Sequence, residues 1–128
     1  MKEDTKLQHI ALQQVDRKKA DIFFKKILGL ELVKTFTLDR RLSKEIFGIS
    51  EPVEAVVYGN EQTHFEIFIT KTKNIPGFCH TCIEINNKED FIKRCKENNI
   101  EPFFIKKDDR TLIFVKDFSK NLFEIKEK

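Results

Sequence analysis

The sequence repeats one pattern in its two halves. His9 stands at the head of an alternating, strand-like run, and His80 stands at the head of a second such run. Each half continues with a helix-like segment and further short strand-like runs, and each closes on a Glu-Ile pair that begins at Glu66 or Glu124. The order strand, helix and three strands thus occurs twice, which predicts an α+β protein made of two βαβββ modules.

Helix and turn signals divide the two halves at matching points. Asp16 and Asn87 are predicted N-caps, because the side-chain oxygen of either residue can accept a hydrogen bond from a free amide of the first helical turn. Gly29 is predicted to end the first helix. The remaining pattern predicts a short helix over residues 39–48 and strands over residues 7–15, 30–38, 53–58, 63–70, 78–85, 100–105, 111–116 and 122–125.

A stretch with Pro76 and Gly77, residues 71–77, is the predicted linker, and it falls where the pattern restarts. We therefore expect a single domain over residues 1–128. Module one covers about residues 5–72 and module two about residues 76–128.

Composition excludes two kinds of partner. Lys and Arg number 24 against 21 Asp and Glu, and the two signs are interspersed, so no basic stripe for nucleic acid is expected. The apolar runs are far too short to span a membrane. Three cysteines, an odd number, do not form a disulfide framework, and the first residues carry no apolar signal region. A cytoplasmic protein is therefore expected.

Four residues at matching points of the two halves are candidate metal ligands: His9, His80, Glu66 and Glu124. Because side chains alternate along a strand, a histidine on a first strand and a glutamate on a last strand can face one concave surface. Two imidazoles and two carboxylates suit a divalent ion such as Zn, Ni, Co, Mn or Fe. In the alternative interpretation, each histidine is a hydrogen-bonded core residue and Glu124 is a solvated residue, and neither binds a metal.

The motifs around these residues resemble those of the vicinal oxygen chelate superfamily, the glyoxalase, bleomycin-resistance and extradiol-dioxygenase group. In the first half they are His9-Ile10-Ala11-Leu12, Asp16, Phe23-Phe24 and Leu28-Gly29-Leu30. In the second half they are Phe78-Cys79-His80, Phe114-Val115-Lys116-Asp117 and Asn121-Leu122-Phe123-Glu124-Ile125. The resemblance implies a glyoxalase-like fold in which two curled mixed sheets form a metal cleft, commonly within a homodimer that acts on a small molecule.

The resemblance also implies roles for the four candidates. The ligand set is similar to that of glyoxalase I, which implies a metal-dependent lyase or isomerase that moves a proton next to a chelated carbonyl. Glu66 or Glu124 would then be the catalytic base. Two alternatives stay open at this point: an acyl-CoA epimerase of the methylmalonyl-CoA epimerase type, and a metal-free binding protein of the bleomycin-resistance type.

Three further residues are candidates for substrate binding. Gln13 stands where glutathione-using glyoxalase I enzymes generally carry Arg, and Thr70 stands where they tend to carry Asn. His64 shares the alternation face of Glu66. The turn at residues 117–120, which reads Asp-Phe-Ser-Lys, departs from the Asp-Pro-Asp-Gly of the family, and we expect this departure to affect only the loop.

Overall fold

The computed structural model describes residues 7–71 and 79–128. Of the predicted linker, only Lys71 is described, and Phe78 also lies outside the described residues. No helix in the described part of the chain is long and apolar enough to cross a membrane.

Each half of the chain forms one strand, a helical segment and three further strands. The first module consists of β1 (Ile10–Gln14), α1 (Arg17–Asp21) with a π-helical continuation (Ile22–Ile27), β2 (Glu31–Leu38), α2 (Arg40–Phe47), β3 (Val53–Gly59) and β4 (His64–Ile69). The second consists of β5 (Thr81–Ile85), α3 (Lys88–Glu97), β6 (Phe103–Lys107), β7 (Arg110–Lys116) and β8 (Leu122–Glu127).

Two four-stranded sheets have the same topology. The order is β1-β4-β3-β2 in the first sheet and β5-β8-β7-β6 in the second. The first and last strands of each module pair in parallel, and the other neighbours pair antiparallel. The predicted α+β fold with two βαβββ modules and mixed sheets is confirmed, and α2 is the predicted extra helix of the first module.

The hydrophobic core contains residues of both modules. Phe23 and Phe24 are fully buried, and their rings lie 5.0 Å from Phe123 and 5.4 Å from Phe65 between centroids. Phe91 of α3 joins the same cluster. Because strand side chains alternate, this packing covers one face of each sheet and leaves the other face for the candidate site.

The helix ends are as predicted, with one local difference. The Asp16 and Asn87 side chains accept from backbone amides of the first turns, and Gly29 has a φ of +74°. The last turns of the first helix are π-helical, however, with the Leu28 amide donating to the Phe23 carbonyl at 2.9 Å. This wider turn precedes the left-handed glycine.

The sixth strand begins later than predicted. We expected it from residue 100, but it starts at Phe103, directly after Pro102. Proline has no amide hydrogen to donate to the sheet ladder, which accounts for the start after it. Ile100 is buried and packs in the core without belonging to the strand.

Candidate metal centre

Strand register places the first histidine beside the first glutamate. β1 pairs with β4 so that Ala11 lies opposite Glu66. His9 is two residues before Ala11, one residue ahead of the strand, and so shares its face. The His9 Nε2 atom lies 3.4 Å from Oε2 of Glu66.

The second module repeats this arrangement with the same offset. β5 pairs with β8 so that Cys82 lies opposite Glu124, and His80 is two residues before Cys82. The His80 Nε2 atom lies 3.8 Å from Oε1 of Glu124. The sequence repeat is therefore a repeat in three dimensions, with one His–Glu pair on each sheet.

Neither histidine is a core residue. The side chains of His9 and His80 are 48% and 47% exposed, whereas those of Glu66 and Glu124 are 22% and 17% exposed. The alternative of a hydrogen-bonded core histidine is therefore wrong for both. Even a fully charged ion pair near the surface contributes at most about 1 kcal/mol, so folding alone gives little reason for two His–Glu contacts at equivalent positions.

The surroundings of the two glutamates differ. The ammonium of Lys126 lies 4.0 Å from Oε2 of Glu124. Desolvation, and then the negative charge of Glu124, raise the pKa of the Cys82 thiol, which keeps this sulfur protonated beside the carboxylate. On the first sheet, the residues opposite Glu66 are Ala11 and Val57, which are small or apolar.

The two pairs do not merge into one cluster within a single chain. Among residues 7–71 and 79–128, no group of three or more His, Cys, Asp or Glu side chains could hold a metal ion. A chain thus contributes two separate His–Glu pairs, each with one nitrogen and one oxygen donor.

Gln13 and Thr70, two of the predicted substrate-binding residues, line the same cavity. It has a volume of about 290 Å³ and lies on the Glu66 face of the first sheet. α2 covers part of this face, where the Phe47 and Phe68 rings lie 5.0 Å apart between centroids.

His64 lies elsewhere. It lines a different cavity of about 290 Å³, together with His9 and residues of β5 that include Cys82 and Glu84. The structure thus separates His64 from Gln13 and Thr70 but places it near a candidate metal ligand.

Some residues around the site were not found from the sequence. Alternation along β4 predicts that Phe68 shares the face of Glu66, but not that it lines a cavity there. Phe47 and Ile49 come from α2 and the segment after it, and no spacing relates them to the strand residues that they meet.

The turn at residues 117–120 also differs from expectation. Asp117 and Ser119 are buried, and Ser119 Oγ accepts a hydrogen bond from the Val15 amide at 3.0 Å. Asn121 donates from Nδ2 to the Gln13 carbonyl at 2.9 Å. The expectation that the departure from the family's turn would affect only the loop was wrong, because Ser119, one of the departing residues, contacts the first module.

Several solved structures have the same fold. A glyoxalase family protein from Enterococcus faecalis is 17% identical, with a TM-score of 0.71 over 95% of this chain and 97% of that one. The fosfomycin resistance protein FosX from Listeria monocytogenes is 16% identical, with a TM-score of 0.74 over 98% and 95% of the two chains. No family model and no curated protein matches the sequence.

A mutant of the Listeria monocytogenes FosX protein was crystallised with Mn(II) and 1S,2S-dihydroxypropylphosphonic acid. It is 19% identical to this chain, with a TM-score of 0.73 over 97% of this chain and 93% of that one. These similarities confirm the glyoxalase-like fold that the motifs indicated.

Proposed function

We propose that the protein is a metal-dependent, glyoxalase-like lyase or isomerase acting on a small molecule. His9, Glu66, His80 and Glu124 would bind one divalent ion such as Zn, Ni, Co, Mn or Fe. The repeated His–Glu pair, at the same strand register on both sheets, is the observation that carries this proposal.

The spacing within each pair fits a shared cation. Two donor atoms that each lie about 2.1 Å from a metal at a tetrahedral angle are about 3.4 Å apart. The nitrogen–oxygen distances of 3.4 Å and 3.8 Å in the two pairs require at most a small side-chain adjustment. The donor types are those that zinc and the other divalent transition metals accept. The Mn(II) named in the FosX complex is consistent with such a site in this fold.

One pair alone supplies too few ligands. Catalytic zinc sites use three protein ligands and a water or substrate. In the described part of one chain, neither His–Glu pair has a third candidate ligand beside it. We therefore propose a homodimer in which the first pair of one copy meets the second pair of the other. A twofold axis then produces two equal sites.

Exposed apolar side chains near the second pair support this assembly. Phe103 and Ile105 lie on the Glu124 face of the second sheet and are 37% and 47% exposed. Phe103 stacks on Phe114, which lies opposite Glu124. A second copy seated on this face would cover apolar surface and bring donors to Glu124.

The proposed chemistry is proton transfer between adjacent carbons. The bound ion would supply Lewis acidity to two vicinal substrate oxygens. Glu66 is the preferred candidate for the base, because its face adjoins the cavity lined by Gln13 and Thr70. A base must come within about 3.2 Å of the group whose proton it takes, directly or through one water. Glu124, held beside Lys126, would remain the more firmly placed ligand.

Solvent deuterium exchange tests the activity. The probe is the hemithioacetal of phenylglyoxal and 2-mercaptoethanol, incubated in D₂O with protein loaded in turn with Zn, Ni, Co, Mn and Fe. We expect thioester formation, with deuterium at the new carbon–hydrogen bond. In Glu66→Gln we expect a rate at least about 10²-fold lower at equal metal occupancy.

The matched control is Glu89→Gln, which changes an exposed carboxylate in the first turn of α3 and should keep the parent rate. Stoichiometric metal without any turnover or exchange would remove the proposed activity. Absence of metal binding under every loading condition would instead favour the metal-free binding alternative.

A further inference from the structure

Among the described residues, no charged side chain lines the cavity beside Glu66. Its lining is apolar except for one amide and one hydroxyl, and consists of Ala11, Leu12, Gln13, Phe47, Ile49, Val53, Phe68 and Thr70. Val53, Ala55 and Phe68 are buried and form a small hydrophobic cluster of their own beneath it. A cavity of about 290 Å³ can hold a short acyl chain or an aryl ring.

The position of the cavity relates it to the proposed metal centre. Ala11 lies opposite Glu66 in the strand register, and Phe68 follows Glu66 by two residues on the same face. A substrate whose oxygens were chelated next to Glu66 would have this cavity beside it for its neighbouring group.

The polar groups in the lining are neutral. The side-chain amide of Gln13 can donate and accept, and the hydroxyl of Thr70 can do the same. The backbone around Gln13 is fixed, since its carbonyl accepts from Asn121 Nδ2. These groups can bind an ether, ester, amide or hydroxyl oxygen, but they cannot compensate an ionic charge.

In the described part of the chain, no lysine or arginine lines the cavity: Lys71, which follows Thr70, is 86% exposed and its ammonium lies 3.6 Å from Oε2 of Glu51. Lys34, on the edge strand β2, lies opposite Val57, which in turn lies opposite Glu66. The Lys34 ammonium lies 5.6 Å from the Phe36 ring centroid and does not line the cavity. An anion placed in the cavity would lose its hydration without gaining an opposite charge from the described lining residues, which is costly.

We infer that this cavity selects substrates whose group next to the chelating oxygens is uncharged and mainly apolar. The inference rests on the proposed function in naming the bound molecule as a substrate. This selectivity would distinguish the chain from a protein that binds a phosphonate, a phosphate or a carboxylate-bearing group at the same position.

Paired hydroxamates test the selectivity on the Mn(II)-loaded protein. Hexanohydroxamate and adipic acid monohydroxamate present the same chelating oxygens and the same chain length, but the second ends in a carboxylate. Titration calorimetry should show that the neutral compound binds at least about tenfold more tightly. Equal affinity, or preference for the carboxylate, would overturn the inference.

Ile49→Lys is the reciprocal variant, because Ile49 lies in a half-buried position after α2 where a lysine can be accommodated. It should lower the preference for hexanohydroxamate at least about tenfold. Ile49→Met is the neutral control and should keep the parent preference. Acetohydroxamate, which has no chain to place in the cavity, should bind equally to all three proteins.

A metal-free measurement separates this inference from the proposed function. In the metal-free protein, hexanamide should shift the methyl NMR signals of Ile49 and Val53 at lower concentration than hexanoate does. If no metal binds but this difference is present, the proposed function fails and the neutral cavity stands. If metal binds and hexanoate is preferred in both states, the inference alone fails.

Discussion

Gln14 donates a hydrogen bond from Nε2 to Oδ2 of Asp117 at 2.5 Å, and this bond joins β1 to the turn between β7 and β8. Both side chains are buried, with 1% and 3% exposure. Asp117 also accepts from the backbone amides of Ser119 and Asn121 and from Nδ2 of Asn121. One carboxylate therefore organises the turn and connects the two modules.

Replacing Asp117 with Ala should destabilise the fold. The change leaves four donors, two of them backbone amides, without their acceptor. We expect a loss of about 3 kcal/mol in the free energy of unfolding, measured by urea denaturation. Asp109→Ala, in an exposed turn, is the control and should change stability by less than about 0.5 kcal/mol. Equal losses in the two variants would contradict this role for Asp117.

Gly59→Ala should also destabilise the protein. A Cβ atom at Gly59 would lie 2.6 Å from His64 Cδ2 and 2.7 Å from the Thr63 carbonyl oxygen, and the second neighbour is backbone that cannot rotate away. We expect a cost of about 1–3 kcal/mol, together with a displaced His64 ring. Thermal unfolding and the NMR signals of the imidazole measure the two effects.

The exposed turn residue Glu61 supplies the comparison for this variant. Glu61→Ala should leave both the unfolding temperature and the His64 signals unchanged. A Gly59→Ala protein as stable as the parent would mean that the strands approach less closely there than the structure indicates.

The Cys95 thiol should make stability fall at alkaline pH. Burial raises the pKa of this thiol to about 11, against a smaller opposing effect of Arg94. In the unfolded chain the thiol loses its proton near its ordinary pKa of about 9. Because the folded-state pKa is the higher one, the stabilisation is complete below the unfolded value and is lost as pH rises toward the folded value.

The measurement is urea denaturation at intervals from pH 8 to 11. Over this range the thiol should remove about 2 kcal/mol from the free energy of unfolding. Cys95→Ala should have lower stability throughout but a shallower decline with pH. Cys79→Ala, at an exposed position, should decline as the parent does. Parallel curves for Cys95→Ala and the parent would contradict the prediction.

The sequence could predict the modules and the His–Glu pairs because both follow from local pattern. The alternation and the repeated histidine predicted that His9 and His80 lie at the starts of strands. In the structure, the parallel register places each histidine beside its glutamate. The strand start at Phe103 needed only the recognition that Pro102 cannot donate to a ladder.

Other features depend on contacts that no spacing encodes. Gln14 and Asp117 are 103 residues apart in the chain, so nothing in the residues around either one indicates the hydrogen bond between them. The covering of the Glu66 face by Phe47 likewise depends on how α2 folds back over the sheet. The separation of the two His–Glu pairs within one chain also depends on how the two modules pack against each other.

A mixing experiment measures most directly whether one metal site is made by two chains. His9→Ala and His80→Ala proteins are prepared separately and are each expected to lose high-affinity Mn(II) binding. When the two are unfolded together and refolded as a mixture, a mixed dimer has one site with all four ligands and one site lacking both histidines. Random pairing should restore about one quarter of the parent sites, counted by Mn(II) electron paramagnetic resonance.

Refolding each variant alone is the control and should restore none. Recovery of about one quarter of the Mn(II) sites in the mixture is the result that we predict. A mixture that binds no more Mn(II) than the separate variants, although the parent protein binds it stoichiometrically, would contradict a site shared between two copies.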